Sequence, residues 1–487
     1  MKGNPIPAQG PRKKRHILRT ICLLLAAFLA FHVIGGYLPF SRLPALEDPD
    51  AIEARADEMQ RDMETPDRAM LLATGADALD ERIRLMNLAR EEIVVAAYDL
   101  RDGESTRDAL CVALARADDG VRVRLLADGI SGLRSLSASP VFRALEAHPN
   151  IEIRFYNPPR LLDPAHDMGR MHDKYVIVDD LAYILGGRNM FDAFIGDYPV
   201  DLRKDDREAL VYNDAVGTEG SSRSSIRQLW SYFETVWDGS ACAPFSGRAI
   251  GEPQLGNALD GLRQRFGALR RDRPELFETA GYPSRTVPTN GIWLVSNPTG
   301  TLAKQPVVFR QLVALMERAG SEIIIQSPYA VLNADMAGRL SAIAARTPMT
   351  LMVNAVESSH NIVASGDYLY HRNNVLSMGA ALLEYAGDSY HHSKAVSIDD
   401  CLSVIGCYNL DLRSTYVDTE LMLVIRGEAF NALLRRDLDA LASKCRRVVD
   451  GDTAIAPEGL ETPSLPVWKQ ALLRVVGALA QPVRNLL

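Results

Sequence analysis

Two short segments of this 487-residue chain carry the same chemical set at the same spacing. The first is His172-Asp-Lys174, followed by Asp179 and by Gly186-Gly187-Arg188-Asn189. The second is His392-Ser-Lys394, followed by Asp399 and by Gly406-Cys407-Tyr408-Asn409. In both, the lysine comes two residues after the histidine, the aspartate five after the lysine, and the asparagine seventeen after the histidine. These residue types suit a phosphodiester. Its cleavage needs a nucleophile, an acid for the leaving alkoxide, and positive charge on the non-bridging oxygens. One imidazole can attack phosphorus to give a phosphohistidine. The opposing imidazolium can protonate the leaving oxygen and then deprotonate an incoming alcohol or water. Lys174, Lys394, Asn189 and Asn409 would hold the phosphate and offset charge in the transition state. This scheme calls for no cofactor and no metal, and no spacing suggests a metal-ligand set.

The catalytic set is therefore His172, Lys174, Asp179, His392, Lys394 and Asp399. Asp179 and Asp399 are expected to buttress the fold through hydrogen bonds, since buried carboxylates must be paired. Each histidine also needs a group that fixes its tautomer. Asp206-Arg207-Glu208 leads into the apolar run Ala209–Tyr212, and Asp418-Thr419-Glu420 leads into Leu421–Ile425. Glu208 and Glu420 are thus expected as equivalents, orienting His172 and His392 respectively. His32, His148, His166, His360 and His371 fit ordinary satisfied histidines. His391 points away from His392 across the strand and is read as supportive.

The elements around the motifs repeat as well. Glu92–Tyr98 matches Glu322–Tyr329, each preceded by a helical stretch. Helix and strand follow in each half (Ser105–Ala117 then Val121–Ala127; Ala334–Ala345 then Met349–Val353), then another strand, then the motif. Such alternation predicts an α/β protein of two pseudo-symmetric lobes, each a mixed or parallel sheet flanked by helices and largely parallel in its strands. The expected layout is a basic tail 1–20, a membrane anchor 21–40, a spacer 41–65, a first lobe 66–246, a connection 247–290, a second lobe 291–460 and an amphipathic C-terminal helix 461–487. The connection is expected to hold one short helical piece around Leu262–Leu269.

Arg12, Lys13, Lys14, Arg15 and Arg19 precede an apolar stretch from Ile21 to about Phe40, enough for one helical span. Basic residues on that flank predict a cytoplasmic N-terminus and a body on the periplasmic side. A cleaved signal peptide with Ile21–Phe31 as its apolar core is the rival reading. The net charge is −8, and setting aside six basic residues in 1–20 leaves −14 on the remainder. A body so acidic is a poor match for nucleic acid. The six cysteines show no paired spacing, and a Cys242–Cys445 disulfide is one open pairing. Near the C-terminus, Trp468, Leu472, Val475, Val476 and Leu479 share a helical face. That face suits either the membrane interface or packing on the body.

The two motifs resemble those of the phospholipase D superfamily. Several stretches are similar to bacterial cardiolipin synthases of the C type: Gly120–Leu126, His148–Arg154 with Asn157-Pro158, Arg170–Lys174, Gly186–Asn189, and Asn409–Ser414 with Thr419-Glu420. The resemblance implies two lobes meeting at a shared site, with His172 as nucleophile and His392 as acid. It departs at Tyr98-Asp99-Leu100, at Cys407 where serine is usual, and over Ser358–His371. The expected activity is phosphatidyl transfer between membrane phospholipids, with phosphatidylglycerol and phosphatidylethanolamine as partners. Hydrolysis to phosphatidic acid is the alternative, and a nuclease of the same superfamily is the second alternative.

Overall fold

Apolar β-branched runs closed by Gly, Asp and Asn turns set the strands, which fall into two matched groups. The computed structural model describes residues 11–247, 249–278, 280–359, 361–460 and 464–487. Residues 1–10 of the basic tail, His360 and residues 461–463 lie outside the described residues, as do the side chains of Arg12, Lys13, Lys14 and Arg15. The first group is β1 (Asp67–Leu72), β2 (Glu92–Ala97), β3 (Arg122–Asp128), β4 (Ile151–Tyr156), β5 (Lys174–Val178), β6 (Ala182–Gly186), β7 (Lys204–Asp205), β8 (Glu208–Asn213), β9 (Cys242–Pro244) and β10 (Val287–Pro288). The second is β11 (Gly291–Ser296), β12 (Ile323–Gln326), β13 (Met349–Asn354), β14 (Ala381–Tyr385), β15 (Tyr390–His391), β16 (Lys394–Ile398), β17 (Leu402–Gly406), β18 (Leu421–Arg426), β19 (Cys445–Val448) and β20 (Ala454–Ile455).

Nine strands form each large sheet, in the orders β10-β1-β8-β6-β5-β2-β3-β4-β9 and β11-β18-β17-β16-β12-β13-β14-β19-β20. From β1 and from β11 onward, the two orders are the same arrangement repeated. Both sheets are mixed. Only β2–β3 and β3–β4, and their counterparts β12–β13 and β13–β14, run parallel. The expectation of largely parallel strands therefore fails on the motif side of each sheet. There β5 turns straight back into β6, and β16 into β17, through a tight turn at Asp179 or Asp399. A connection that short allows only an antiparallel neighbour.

Alternate strand residues feed different cores. Val176 and Val178 pack outward beneath the first-lobe helices. Tyr175 and Ile177 enter a central layer shared with Ala395, Ile405 and Leu423 of the other lobe. Helices Ile226–Trp237 and Glu428–Ala442 also pack into that layer, through Phe233 and Leu434 among others.

The connecting stretch holds a 21-residue helix, Glu252–Asp272, far longer than the short piece expected. Its glycines at 256, 261 and 267 face little or nothing that a side chain would meet, so they do not break it. Leu262 of this helix, with Leu276 and Tyr282 after it, packs the connection against the first lobe. The spacer contains helix Pro49–Met59, which buries Ile52, Ala56 and Met59 in the second-lobe core. Cys242 and Cys445 are both free thiols, bonded to the Val236 and Leu441 carbonyls, so the open disulfide pairing is not made.

The N-terminal helix Pro11–Tyr37 carries an exposed apolar stretch, and Leu18–Phe40 is long and apolar enough to cross a membrane. Its end is tied to the body. Phe40 is fully buried, and Asn485 near the C-terminus donates to its carbonyl at 3.2 Å.

Candidate active site

Each histidine sits just before the first motif strand of its lobe, where the chain crosses to the other lobe. Met171 pairs with Thr419 in a parallel bridge, and the His172 N–H donates to Thr419 Oγ1 at 3.2 Å. In the second lobe β15 pairs in parallel with β7, and the His392 N–H donates to the Asp205 carbonyl at 2.7 Å. The stitching is reciprocal, and the side chains follow it. His172 Nδ1 donates to Glu420 Oε1 at 2.9 Å, and His392 Nδ1 donates to Asp206 Oδ2 at 2.7 Å. Fixing Nδ1 in each ring leaves Nε2 as the atom available for chemistry.

This corrects the expected partners. Glu420 is bonded to His172, not His392. Glu208 bonds neither histidine; it is fully buried in a two-pronged pair with Arg82 at 2.6 and 2.7 Å. The strand register gives the reason. Gly186 lies opposite Glu208, whereas the matching Gly406 lies opposite Met422. Glu208 thus corresponds to Met422 and points outward, and Asp206 corresponds to Glu420. Matching the two acidic triplets by the apolar runs after them slips the comparison by two residues. Asp206 is the histidine partner absent from the sequence reading, and only the pairing of the strands across Gly186 and Gly406 identifies it.

The remaining set is arranged as follows. Lys174 Nζ donates to the His172 carbonyl and Lys394 Nζ to the His392 carbonyl. Lys394 Nζ also lies 2.7 Å from Nδ1 and 3.1 Å from Nε2 of His392. Asn189 and Asn409 are both buried at the ends of the Gly-containing turns. Asn189 Oδ1 accepts from the Asp99 N–H at 3.2 Å, while Asn409 Oδ1 is buried without a partner. Gly187 has no room for a side chain, because a Cβ there would stand 2.4 Å from Asp206 Oδ1. Its counterpart Cys407 is accommodated beside Glu420. Tyr98 packs edge-on against His172, with ring centres 5.1 Å apart, and Phe194 does the same at His392, also at 5.1 Å.

Asp179 and Asp399 are not brought to the histidines. Each stands at the far end of its strand, about 16 Å of extended chain from the motif lysine. Asp179 accepts from the N–H groups of Arg90, Glu91 and Glu92 at 2.7–3.0 Å. Asp399 accepts from those of Gly320, Ser321 and Glu322 at 2.7–3.1 Å. Both adopt left-handed backbone, with φ of 49° and 51°, which a short side chain bonding locally tolerates best. Their contacts are those of turn caps, remote from the reacting groups. Asp173, on the reverse face from His172, accepts from Tyr232 at 2.7 Å and Thr419 at 2.9 Å.

The electrostatics of the two pairs differ. Burial, then Lys174 and Lys394, push the His172 pKa well below its ordinary value. Burial pushes Glu420 up to about 7 against the pull of Lys174. That pair favours a neutral imidazole. Burial and Lys394 also push His392 down, to about 3, but Asp206 pulls the other way. Burial would raise Asp206 too, yet Lys394, the His392 hydrogen bond and Arg188 carry it down to about 2. His392 therefore faces a full carboxylate charge. Burial and Lys174 lower Lys394 to about 7. Ligand atoms of His172, Cys407 and Glu420 lie within 4.8 Å of one another. Burial and Glu420 push the Cys407 thiol well above its ordinary pKa.

Comparison with known proteins gives consistent results. A family profile described as cardiolipin synthase, PLD-like domain, matches residues 83–237 and 312–442, taking in both motifs. A protein of Helicobacter pylori with no characterised function is 25% identical over 441 residues, covering 82% of this chain and 84% of that one. Cardiolipin synthase C of Escherichia coli is 26% identical over 411 residues, covering 74% of this chain and 82% of its own. Among solved structures, phosphatidylserine synthase of Haemophilus influenzae superposes with a TM-score of 0.62 at 16% identity, covering 89% of this chain and all of that one. That last likeness is one of fold.

Proposed function

This chain belongs to the family of cardiolipin synthase PLD-like domains and is a phospholipid-modifying enzyme of the phosphodiesterase and phosphatidyltransferase type; on that premise we propose that it moves a phosphatidyl group from one membrane phospholipid to another through a phosphohistidine at His172. The observation that carries the reading is the crossed pairing of His172 with Glu420 and His392 with Asp206. It joins two motifs from two lobes into one site holding two differently poised imidazoles.

His172 Nε2 attacks phosphorus. The P–O bond to the donor headgroup breaks, and the leaving alkoxide takes a proton from His392. A hydroxyl of the acceptor lipid then attacks phosphorus, returns its proton to His392, and releases His172 as the P–N bond breaks. A neutral imidazole whose Nδ1–H is held by Glu420 suits a nucleophile, and the carboxylate supports the charge that appears on His172 after attack. The phosphodiester anion, set against Lys174 and Lys394, offsets their charge at His392 and lets that imidazole take up its proton. Asn189 and Asn409 would offer their side-chain amides to the phosphate oxygens. Burial of His172, Lys174, Lys394 and both asparagines favours transfer over hydrolysis by keeping bulk water from the intermediate.

A membrane location is supported by what gathers at the base of the N-terminal helix. Gly35 and Gly36 lie against Pro164 and Met168 of the loop that leads into His172. That loop exposes Leu161 and Leu162, and the C-terminal helix Val467–Ala480 exposes Val467, Trp468, Leu472, Val475 and Leu479. Residues Gln481–Leu486 return from this helix to Phe40. An uncleaved anchor, with the body on the periplasmic side, fits burial of Phe40 in the second-lobe core and the basic flank before the span.

The test supplies purified full-length protein with phosphatidylglycerol labelled in its phosphatidyl group, with and without phosphatidylethanolamine. Cardiolipin is the expected product. Phosphatidic acid alone would instead mark a hydrolase, and untouched lipid would overturn the reading altogether.

A further inference from the structure

Lys204 lies beside the catalytic set without belonging to it. Its ammonium sits over two aromatic rings, 5.2 Å from the centre of Phe194 and 5.8 Å from that of Phe191. Phe194 is the ring that packs on His392 at 5.1 Å, so Lys204 is one ring removed from that imidazole. Among the described residues, no carboxylate lies within ion-pair distance of Lys204 Nζ and no acceptor bonds it. The acid whose charge acts on it, Asp99, is already engaged. Both Asp99 oxygens are bonded to Arg101 Nε, at 2.9 and 3.0 Å, and Oδ1 also accepts from Ser131 at 2.8 Å. Arg101 in turn stacks on Phe191 at 4.0 Å. Lys204, Arg101 and Asp99 together leave one positive charge uncompensated.

The backbone holds this lysine in step with the acid. Its N–H donates to the Ala193 carbonyl at 2.8 Å, and it pairs with Tyr390 in the β7–β15 ribbon. The same ribbon carries Asp205, whose carbonyl takes the His392 N–H, and runs on to Asp206, which holds His392 Nδ1. Burial and the Arg101 guanidinium lower the Lys204 pKa, with Asp99 opposing, so a bound anion would strengthen its charge.

We propose that Lys204, seated on Phe191 and Phe194, forms a second anion subsite that takes the acceptor phospholipid's own phosphate while the reacting phosphate lies between His172 and His392. The subsite deepens the phosphatidyl-transfer reading and rests on it. In-line displacement brings the attacking hydroxyl in where the leaving oxygen departs, which is the His392 side. A glycerol-headgroup acceptor carries its phosphate three carbons from that hydroxyl, about 6 Å away in extended form at ordinary bond lengths. The contacts at 5.2 Å and 5.1 Å on either side of Phe194 keep Lys204 Nζ within about 10 Å of the His392 ring, which suits that phosphate when the hydroxyl stands a hydrogen bond, about 3 Å, from the imidazole. Water and simple alcohols have no second phosphate and gain nothing from Lys204, so the subsite selects a lipid acceptor over them.

The test uses full-length enzyme with phosphatidylethanolamine, labelled in its phosphatidyl group, as donor. Three acceptors are compared: phosphatidylglycerol, n-butanol, and glycerol 3-phosphate, which has the same phosphate without acyl chains. Lys204→Gln is expected to raise KM for phosphatidylglycerol at least tenfold more than KM for butanol, and Lys204→Arg to recover most of that difference. Parallel changes for both acceptors, or none, would overturn the subsite, and general damage from the substitution gives only parallel changes. Lys204-dependent transfer to glycerol 3-phosphate but not to phosphatidylglycerol would overturn the lipid assignment in favour of a soluble phosphoester. Wild-type enzyme that transfers to no acceptor would overturn the transfer reading, and the subsite with it.

Discussion

His172 and Glu420 are 248 residues apart in the chain, yet Nδ1 of one lies 2.9 Å from Oε1 of the other. His392 and Asp206 make the matching bond from the opposite direction. The carboxylate that orients each imidazole thus comes from the lobe that does not carry it.

The crossed pairing separates residues that look alike in sequence. Glu420→Gln and Asp206→Asn are expected to lower kcat by on the order of 10²–10⁴-fold, since each disturbs a tautomer needed for proton transfer. Glu208→Gln leaves Arg82 buried without its partner and is expected to cost about 3–5 kcal/mol of stability. Thermal melts beside turnover numbers check this. A Glu208→Gln enzyme that melts normally yet is inactive would return Glu208 to the catalytic set.

In the proposed mechanism the two histidines divide the reaction differently. His172→Ala removes the proposed nucleophile, so label from the phosphatidyl group should never become attached to protein. His392→Ala keeps that atom but lacks the acid, so a lipid analogue with a good leaving group should still label the enzyme. Turnover of ordinary phospholipid is expected to fall at least about 10³-fold in each. Rapid-quench trapping of acid-labile phosphoprotein reads the outcome, and label on the His172→Ala protein would contradict the assignment.

Binding of a phosphate analogue should depend on pH. Lys394, with its pKa pushed to about 7, is charged below that value and loses its charge above it. An anion binds the charged form, so affinity is present on the acid side and weakens as pH rises. Above pH 7 the dissociation constant of tungstate is expected to climb by on the order of tenfold per pH unit, as linkage to one proton requires. Calorimetry between pH 6 and 9 measures it. A flat profile would show that Lys394 holds its proton throughout.

Contact with lipid should be visible at Trp468. That indole is 68% exposed, whereas Trp237 and Trp293 are buried and Trp230 is half-buried. In vesicles containing brominated phospholipid, its fluorescence is expected to be quenched, and Trp468→Phe to remove most of the quenching. Equal quenching in wild type and variant would place the C-terminal helix away from the bilayer.

Much of this site was legible because its chemistry is local. His172, Lys174 and Asn189 lie within eighteen consecutive residues, and the second set repeats their spacing. The same locality hid the rest. Asp206 reaches its histidine only through the meeting of two sheets, and more chain separates Gly187 from Asp206 than separates Cys407 from Glu420. Sheet direction was misjudged for a similar reason. Alternating helices and strands describe β2 to β4 well, but the turn at Asp179 decides how β5 and β6 run. Lys204 had no signal at all, since its position depends on Phe191 and Phe194 arriving from an intervening loop.

The exchange of carboxylates bears on how such a molecule is inherited. A chain of half this length would hold one histidine and the acid for a neighbour's, and would be complete only against a second copy. Tying both halves into one polypeptide removes that dependence on concentration and frees them from being identical. The differences between Asp206 and Glu420 and between Gly187 and Cys407 are then divergence between equivalent positions of the two halves. A substitution at either carboxylate is consequently felt first at the histidine of the other lobe.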